Sequence, residues 1–205
     1  LSSEVEGLSY TIRARAPATL TASAAVDILA GGWIDAAMDQ EIITGLKKRI
    51  STEGLDAVIA VSPENVTYVS GFVVPSQSLM RWRHAACIVT ADGRVSMVAV
   101  DMEATTVKAH AEIKDLRVYR EFVDDPMDIL ADALRDMRLD HGKVGIEMEF
   151  LPAKDFATLG KKLSEVEWRA ADAIFNKARQ IKTPNELALL RSLSKLTDKA
   201  IGDTL

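Results

Sequence analysis

The sequence predicts an α/β fold, a mixed sheet with helices on both faces. Short apolar runs rich in Val, Ile and Ala alternate with longer segments whose apolar residues recur every three to four positions. Such alternation places helices on both sides of one sheet. Two of the β-rich runs, 85–90 and 94–100, are joined through Ala91-Asp92-Gly93, a strong hairpin signal, so part of the sheet is antiparallel and the whole must be mixed.

The elements follow in order. Residues 39–53 read as a helix with Ile42, Ile43, Leu46 and Ile50 on one face and Lys47, Lys48 and Arg49 in solvent, ended by Gly54. A buried strand at 56–61 comes next, and Ser62-Pro63 caps a second, short helix. The stretch from Pro75 to Met80 reads as a loop leading to the hairpin. Beyond it, 103–111 reads as helix and 116–119 as a short strand. Asp125-Pro126 then opens a helix with Ile129, Leu130, Ala133, Leu134 and Met137 on one face, which exits at Gly142. A strand at 144–148, a helix at 152–163, a strand at 166–169 and a helix at 171–178 complete the alternation.

The last segment is the most sharply signalled. Thr183, Pro184 and Glu186 spell a capping box with Pro at the first helical position, and Leu189, Leu193, Leu196 and Ala200 continue the helix with no Gly or Pro stop before Leu205. A helix announced so clearly and then cut off predicts a further domain. The expected division is an extension over 1–38, a domain over 39–178, and the opening of a second domain over 179–205. The first 38 residues carry no readable motif, and their Ala- and Leu-rich part is interrupted by Asp27, Asp35 and Gly31-Gly32.

Bulk properties exclude several classes. The 205 residues are 48% hydrophobic, enough for a substantial core. A net charge of −5 with interspersed signs gives no footprint for nucleic acid. No apolar run reaches the roughly 20 residues that cross a bilayer, so no membrane partner is expected. Cys87 is the single cysteine, which rules out an internal disulfide framework and fits the cytoplasm, the expected location.

Motifs for chemistry are sparse. Neither G-x-G-x-x-G nor a P-loop is present, and G-x-S-x-G is absent. His84, His110 and His141 have no partner at ligand spacing, so surface or satisfied histidines are expected. Cys87 lies inside a strand as a buried, inert thiol. Glu147 and Glu149 alternate along one strand and would share a face, as an acid pair or as a bland one. Asp124-Asp125 caps the helix at Pro126. The stretch Arg81-Trp82-Arg83, before a buried strand and after a Gly71-hinged loop, would present guanidinium groups to a carboxylate at a sheet edge. The alternative is that Asn65 and Tyr68 lock the short helix, Gly71 makes a turn, and Arg81 and Arg83 are solvated or lie over Trp82.

Four stretches, taken in order, resemble the creatinase/prolidase family. They are Asn65-x-x-Tyr68-x-x-Gly71-Phe72 after a Gly-Leu-Asp-Ala strand, the Asp92-Gly93 hairpin, Val144-Gly145-Ile146-Glu147, and Arg179-x-Ile181-Lys182-Thr183-Pro184-x-Glu186. The resemblance implies an amino-terminal domain similar to the ribonuclease H arrangement over 39–178, with a "pita-bread" catalytic domain beginning at Arg179. It implies two divalent metal ions, such as manganese, cobalt or zinc, held by two Asp, one His and two Glu beyond Leu205. No catalytic residue and no metal ligand then falls in this segment. It further implies a homodimer whose amino-terminal domains shape specificity, with Phe72 and either Arg81 or Arg83 holding the carboxylate of a small peptide substrate.

The implied parent is a metallopeptidase of Xaa-Pro peptides, with this segment alone inactive. Within the same family a creatinase-like amidinohydrolase, working through a His base without metal, is the alternative. A stand-alone binding module is the other.

Overall fold

The computed structural model describes residues 38–80 and 82–204. The extension expected over 1–38, save Met38, and Arg81 therefore lie outside the described residues.

The helix at α1 (Gln40–Thr52) opens where Asp39 accepts the Glu41 N–H at 2.8 Å, and its buried face is Ile42, Ile43, Leu46 and Ile50. Strand β1 (Ala57–Ala60) is buried along its whole length. The Ser62 hydroxyl accepts the Asn65 N–H at 3.2 Å and starts α2 (Pro63–Ser70), which Gly71 ends in the left-handed region at φ 70°. That conformation suits a residue without a Cβ.

The stretch read as a loop from Pro75 contains a short helix, α3 (Pro75–Leu79). Its residues are too polar and too few to show periodicity. Tertiary bonds form it: buried Gln77 donates to the carbonyls of Val61 (2.8 Å) and Ala85 (3.1 Å), and the Ser76 N–H donates to buried Glu103 (3.1 Å).

The hairpin joins β2 (Ala86–Thr90) to β3 (Val95–Val100), with Gly93 at φ 92° in the turn. A 3-10 turn at Asp101–Glu103 leads into α4 (Ala104–His110) and then β4 (Asp115–Tyr119). Asp125 accepts the Met127 N–H and opens α5 (Pro126–Asp136). β5 (Lys143–Ile146), α6 (Ala153–Lys162), β6 (Glu167–Ala170), α7 (Asp172–Gln180) and α8 (Pro184–Thr204) follow.

The six strands form one mixed sheet in the order β4-β3-β2-β1-β5-β6. β2 is antiparallel to both neighbours, and the other pairings are parallel. The alternation of β1 splits the core in two. Val58 and Ala60 face α1, α2, α4 and α7, while Ala57 and Ile59 face α5 and α6. Gly145 sits where a Cβ would come within 3.1 Å of both Ala171 and Leu55, so a side chain there would press on the start of α7 and on Leu55.

The capping box at α8 forms as read: the Thr183 N–H donates to Glu186 at 2.8 Å and the Glu186 N–H donates to Thr183 Oγ1 at 3.1 Å. None of the 21 residues of α8 is buried.

Candidate functional site

β1 and β5 are parallel neighbours, yet the chain leaves them to opposite faces. α1 and α2, which flank β1, pack on one side of the sheet, and α5 and α6, which flank β5, pack on the other. The carboxyl ends of two such strands leave a crevice between diverging connections, the usual place for a site in open α/β sheets. Here the crevice is a cleft of about 220 Å³ lined by Ser62, Asn65, Glu147, Asp172, Asn176 and Arg179, among others.

Glu147 is its centre. The strand ends at Ile146, one residue before it, so Glu147 and Glu149 do not share a strand face: Glu147 is 4% exposed and Glu149 lies exposed in the turn that follows. Glu147 Oε2 accepts the N–H groups of Val61 (2.6 Å) and Ser62 (2.9 Å), and Oε1 accepts from Asn65 Nδ2 (2.6 Å). A buried carboxylate with three donors is satisfied. It joins the end of β5 to the loop between β1 and α2. Asn65 continues the chain of bonds, its Oδ1 accepting from Arg179 at 3.2 Å.

Tyr68 reaches the same helix. A helix leaves its last four carbonyls without partners in its own ladder, and at the end of α7 three of them are met by side chains. Arg49 donates to the Lys177 carbonyl (3.1 Å), Tyr68 to that of Ala178 (3.2 Å), and Lys182 to that of Arg179. Asn65 and Tyr68 thus do not lock their own helix; both tie α2 to α7. Burial, reinforced by Glu186, pushes the Tyr68 hydroxyl up to about 12. Because the folded value lies above the ordinary 10, its contribution to stability is complete below about pH 10 and is lost as pH rises through about 12. Tyr68→Phe should cost about 1 kcal/mol in urea denaturation at neutral pH, the usual worth of one such hydrogen bond.

Of the arginine stretch, Arg83 and Trp82 are described, and Arg83 is bound within the chain. Arg83 is neither solvated nor stacked on Trp82: its Nε and Nη2 donate to Glu121 at 2.6 and 3.0 Å, and both side chains are largely buried. Trp82 is 66% exposed. Phe72 is buried and stacks on His110, ring centroids 6.1 Å apart and nearly parallel. His84 meets Asp155 at 3.1 Å, and His141 meets Glu165 and Asp140. Phe72 and Arg83 therefore stand apart from the Glu147 cleft, whereas Asn65 lines it.

Cys87 is buried in β2, and burial pushes its thiol well up, as an inert core cysteine requires. Among the described residues no three His, Cys, Asp or Glu side chains come together to hold a metal ion. These residues do not fit a metal pair. Among them, too, no helix is long and apolar enough to cross a membrane.

Comparison with known proteins agrees with the architecture. The chain is 25% identical over 170 residues to the uncharacterized hydrolase/peptidase y4tM of Sinorhizobium fredii, an alignment covering 78% of this chain and 42% of that protein. The chain thus spans about two-fifths of that relative's length. Its fold is similar to the Xaa-Pro dipeptidase from Bacillus anthracis (TM-score 0.61, 15% identity, covering 79% of this chain and 41% of that one). It is also similar to the N-terminal domain of cytoplasmic peptidase PepQ from Mycobacterium tuberculosis H37Rv (TM-score 0.54, 23% identity, 68% and 99%). At those identities the likeness is one of fold. The stretches that meet at Asn65, Glu147 and Arg179 are three of the four that carried the sequence resemblance, and the family model for the Creatinase/Prolidase N-terminal domain matches residues 43–181, well over half of the 205. The chain belongs to the Creatinase/Prolidase N-terminal domain family.

Proposed function

We propose that this chain is the amino-terminal specificity and dimerisation domain of a metal-dependent peptidase that hydrolyses Xaa-Pro peptides in the cytoplasm. The observation that carries the reading is α8. It starts from a formed capping box, and Thr183 Oγ1 is tied to the N-cap residue of α1, Asp39, at 3.2 Å. Yet it leaves Leu187, Leu189, Leu190, Leu196 and Ile201 exposed. A helix with a fixed start and that much apolar surface in water needs a covering partner. On this reading the partner is a catalytic domain that opens at 179–205, with 39–178 as the amino-terminal domain. The names of the similar proteins, a hydrolase/peptidase and an Xaa-Pro dipeptidase, support the reaction class.

Two divalent ions in that domain, manganese, cobalt or zinc, would supply an activated water for the scissile carbonyl. The residues of this chain would bind and orient. Leu79, Trp82, Met102, Phe122 and Val123 are exposed on segments that precede β2 or follow β3 and β4. Since β2 alone runs antiparallel, these segments share one end of the sheet, which supports a docking surface for a second copy.

Phe72 and an arginine of the 81–83 stretch would hold the substrate carboxylate. Arg83 already spends two N–H groups on Glu121, so we assign the carboxylate to Arg81. In the intact enzyme, Arg81→Ala should raise KM about 10-fold, the worth of one charge-assisted hydrogen bond, with kcat and thermal midpoint little changed. Normal kinetic constants in both Arg81→Ala and Arg83→Ala would reduce the patch to surface.

The test of the function is an assay of the full reading frame containing this chain on Xaa-Pro dipeptides and their Xaa-Ala counterparts. Preferential cleavage before proline is expected. Turnover of neither, or of creatine instead, overturns the reading.

A further inference from the structure

We propose that Glu147, Asn65 and Arg179 form a positioning relay that fixes the direction in which α8 leaves the domain. If α8 opens a catalytic domain, a consequence that rests on the reading above, the same relay sets how the two domains face each other.

Donors and acceptors fix the order of the three residues. Glu147 presents only acceptors, and its Oε2 is already taken by the Val61 and Ser62 N–H groups. Its Oε1 must therefore receive the amide NH2 of Asn65, which it does at 2.6 Å. That contact orients the Asn65 amide, because the reverse orientation would set an oxygen against a carboxylate. The amide oxygen is left facing outward, and Arg179, which has only donors, binds it at 3.2 Å. Each member dictates the orientation of the next.

The relay ends at a mechanically useful place. Arg179 is the penultimate residue of α7, and the capping Thr183 of α8 lies four residues on. Among the described residues Arg179 has no carboxylate within ion-pair distance, and its one side-chain hydrogen bond goes to Asn65. A relay that merely stabilised the cleft would have no need of a group at the α7–α8 junction. One that aims α8 needs a contact there, backed by the tie of Tyr68 to Ala178 and that of Asp39 to Thr183.

The experiment exchanges polarity within the relay. Glu147→Gln keeps the acceptor for Val61 and Ser62 but turns an NH2 toward Asn65, whose amide must then flip and set its own NH2 against Arg179. Asn65→Asp sets one carboxylate against another. In the double variant Glu147→Gln/Asn65→Asp, the Gln NH2 donates to the Asp, whose second oxygen still accepts from Arg179. Every bond of the relay is restored with its charge moved by one position. The readout is amide hydrogen exchange across 181–190 relative to β1 and β5 in this chain, which needs no activity and so stands or falls apart from the peptidase reading.

Each single variant should speed exchange at 181–190 about 10-fold more than in the strands, the equivalent of one lost buried hydrogen bond. The double variant should return close to the original rate. Arg179→Met, which leaves Glu147 and its donors intact, should loosen 181–190 alone. If a single variant fails to fold, the double variant decides, since its recovery is expected and its failure overturns the relay. Effects of the two single substitutions that simply add, or unchanged exchange at 181–190 in Arg179→Met, also overturn it.

Discussion

Glu147→Ala is expected to lower the unfolding free energy by about 3 kcal/mol, the cost of leaving buried donors without their charged acceptor. Glu147 is 4% exposed, and three donors depend on it: the N–H groups of Val61 and Ser62 and the amide of Asn65. Alanine removes the acceptor while the donors stay buried beside the carboxyl ends of β1 and β5. Part of the cost falls on α2, whose cap residue Ser62 is held by the same carboxylate. Urea denaturation followed by far-UV circular dichroism measures it. A loss under about 1 kcal/mol, the range of an ordinary surface substitution or a single neutral hydrogen bond, would mean that Glu147 does not organise the crevice.

Phe175→Ala should cost more, about 4 kcal/mol, in the range measured for large aromatic truncations in closed cores. Phe175 heads the largest fully buried side chains and packs in the cluster formed by α1, α2, α4 and α7 against one face of the sheet. Its own helix is cross-tied to α1: Arg49 of α1 donates to the Lys177 carbonyl of α7. That tie limits how far α7 can move into the space left by the ring, so a cavity persists. The effect also has a direction along the chain. Because α7 carries Ala178 and Arg179, its loosening should propagate to the start of α8, and exchange at 181–190 should rise together with the drop in stability. A loss below about 2 kcal/mol would indicate that the helix layer collapses freely onto the sheet.

Much of the fold was legible because its signals are local. The capping box needs only Thr183 and Glu186, three residues apart, and it formed as read. The hairpin needs Gly93 at positive φ, and Ser62-Pro63 and Asp125-Pro126 each supply a cap and a first helical residue in adjacent positions. Where a feature depended on residues far apart, spacing was silent. The five-residue α3 exists because Gln77 reaches the carbonyls of Val61 and Ala85, not because of any period of its own. Arg83 met Glu121, 38 positions away, and so left solvent.

Glu147 shows the same limit from the other side. Read as part of a strand it pairs with Glu149. Once β5 stops at Ile146, it turns inward to the amides that begin α2. The family motifs were visible as a sequence order. Their physical reason, that Asn65, Tyr68, Glu147 and Arg179 converge on the end of α7, belongs to tertiary structure alone.

The proposed role, an amino-terminal domain serving a metal-dependent peptidase, is decided by chelation. The product of the full reading frame is assayed on an Xaa-Pro dipeptide as purified, after dialysis against EDTA, and after manganese, cobalt or zinc is returned. In the proposed role hydrolysis should collapse on chelation and recover with metal, while the 205-residue chain alone stays inactive throughout. Hydrolysis that survives chelation unchanged, or that the 205-residue chain performs by itself, would contradict it.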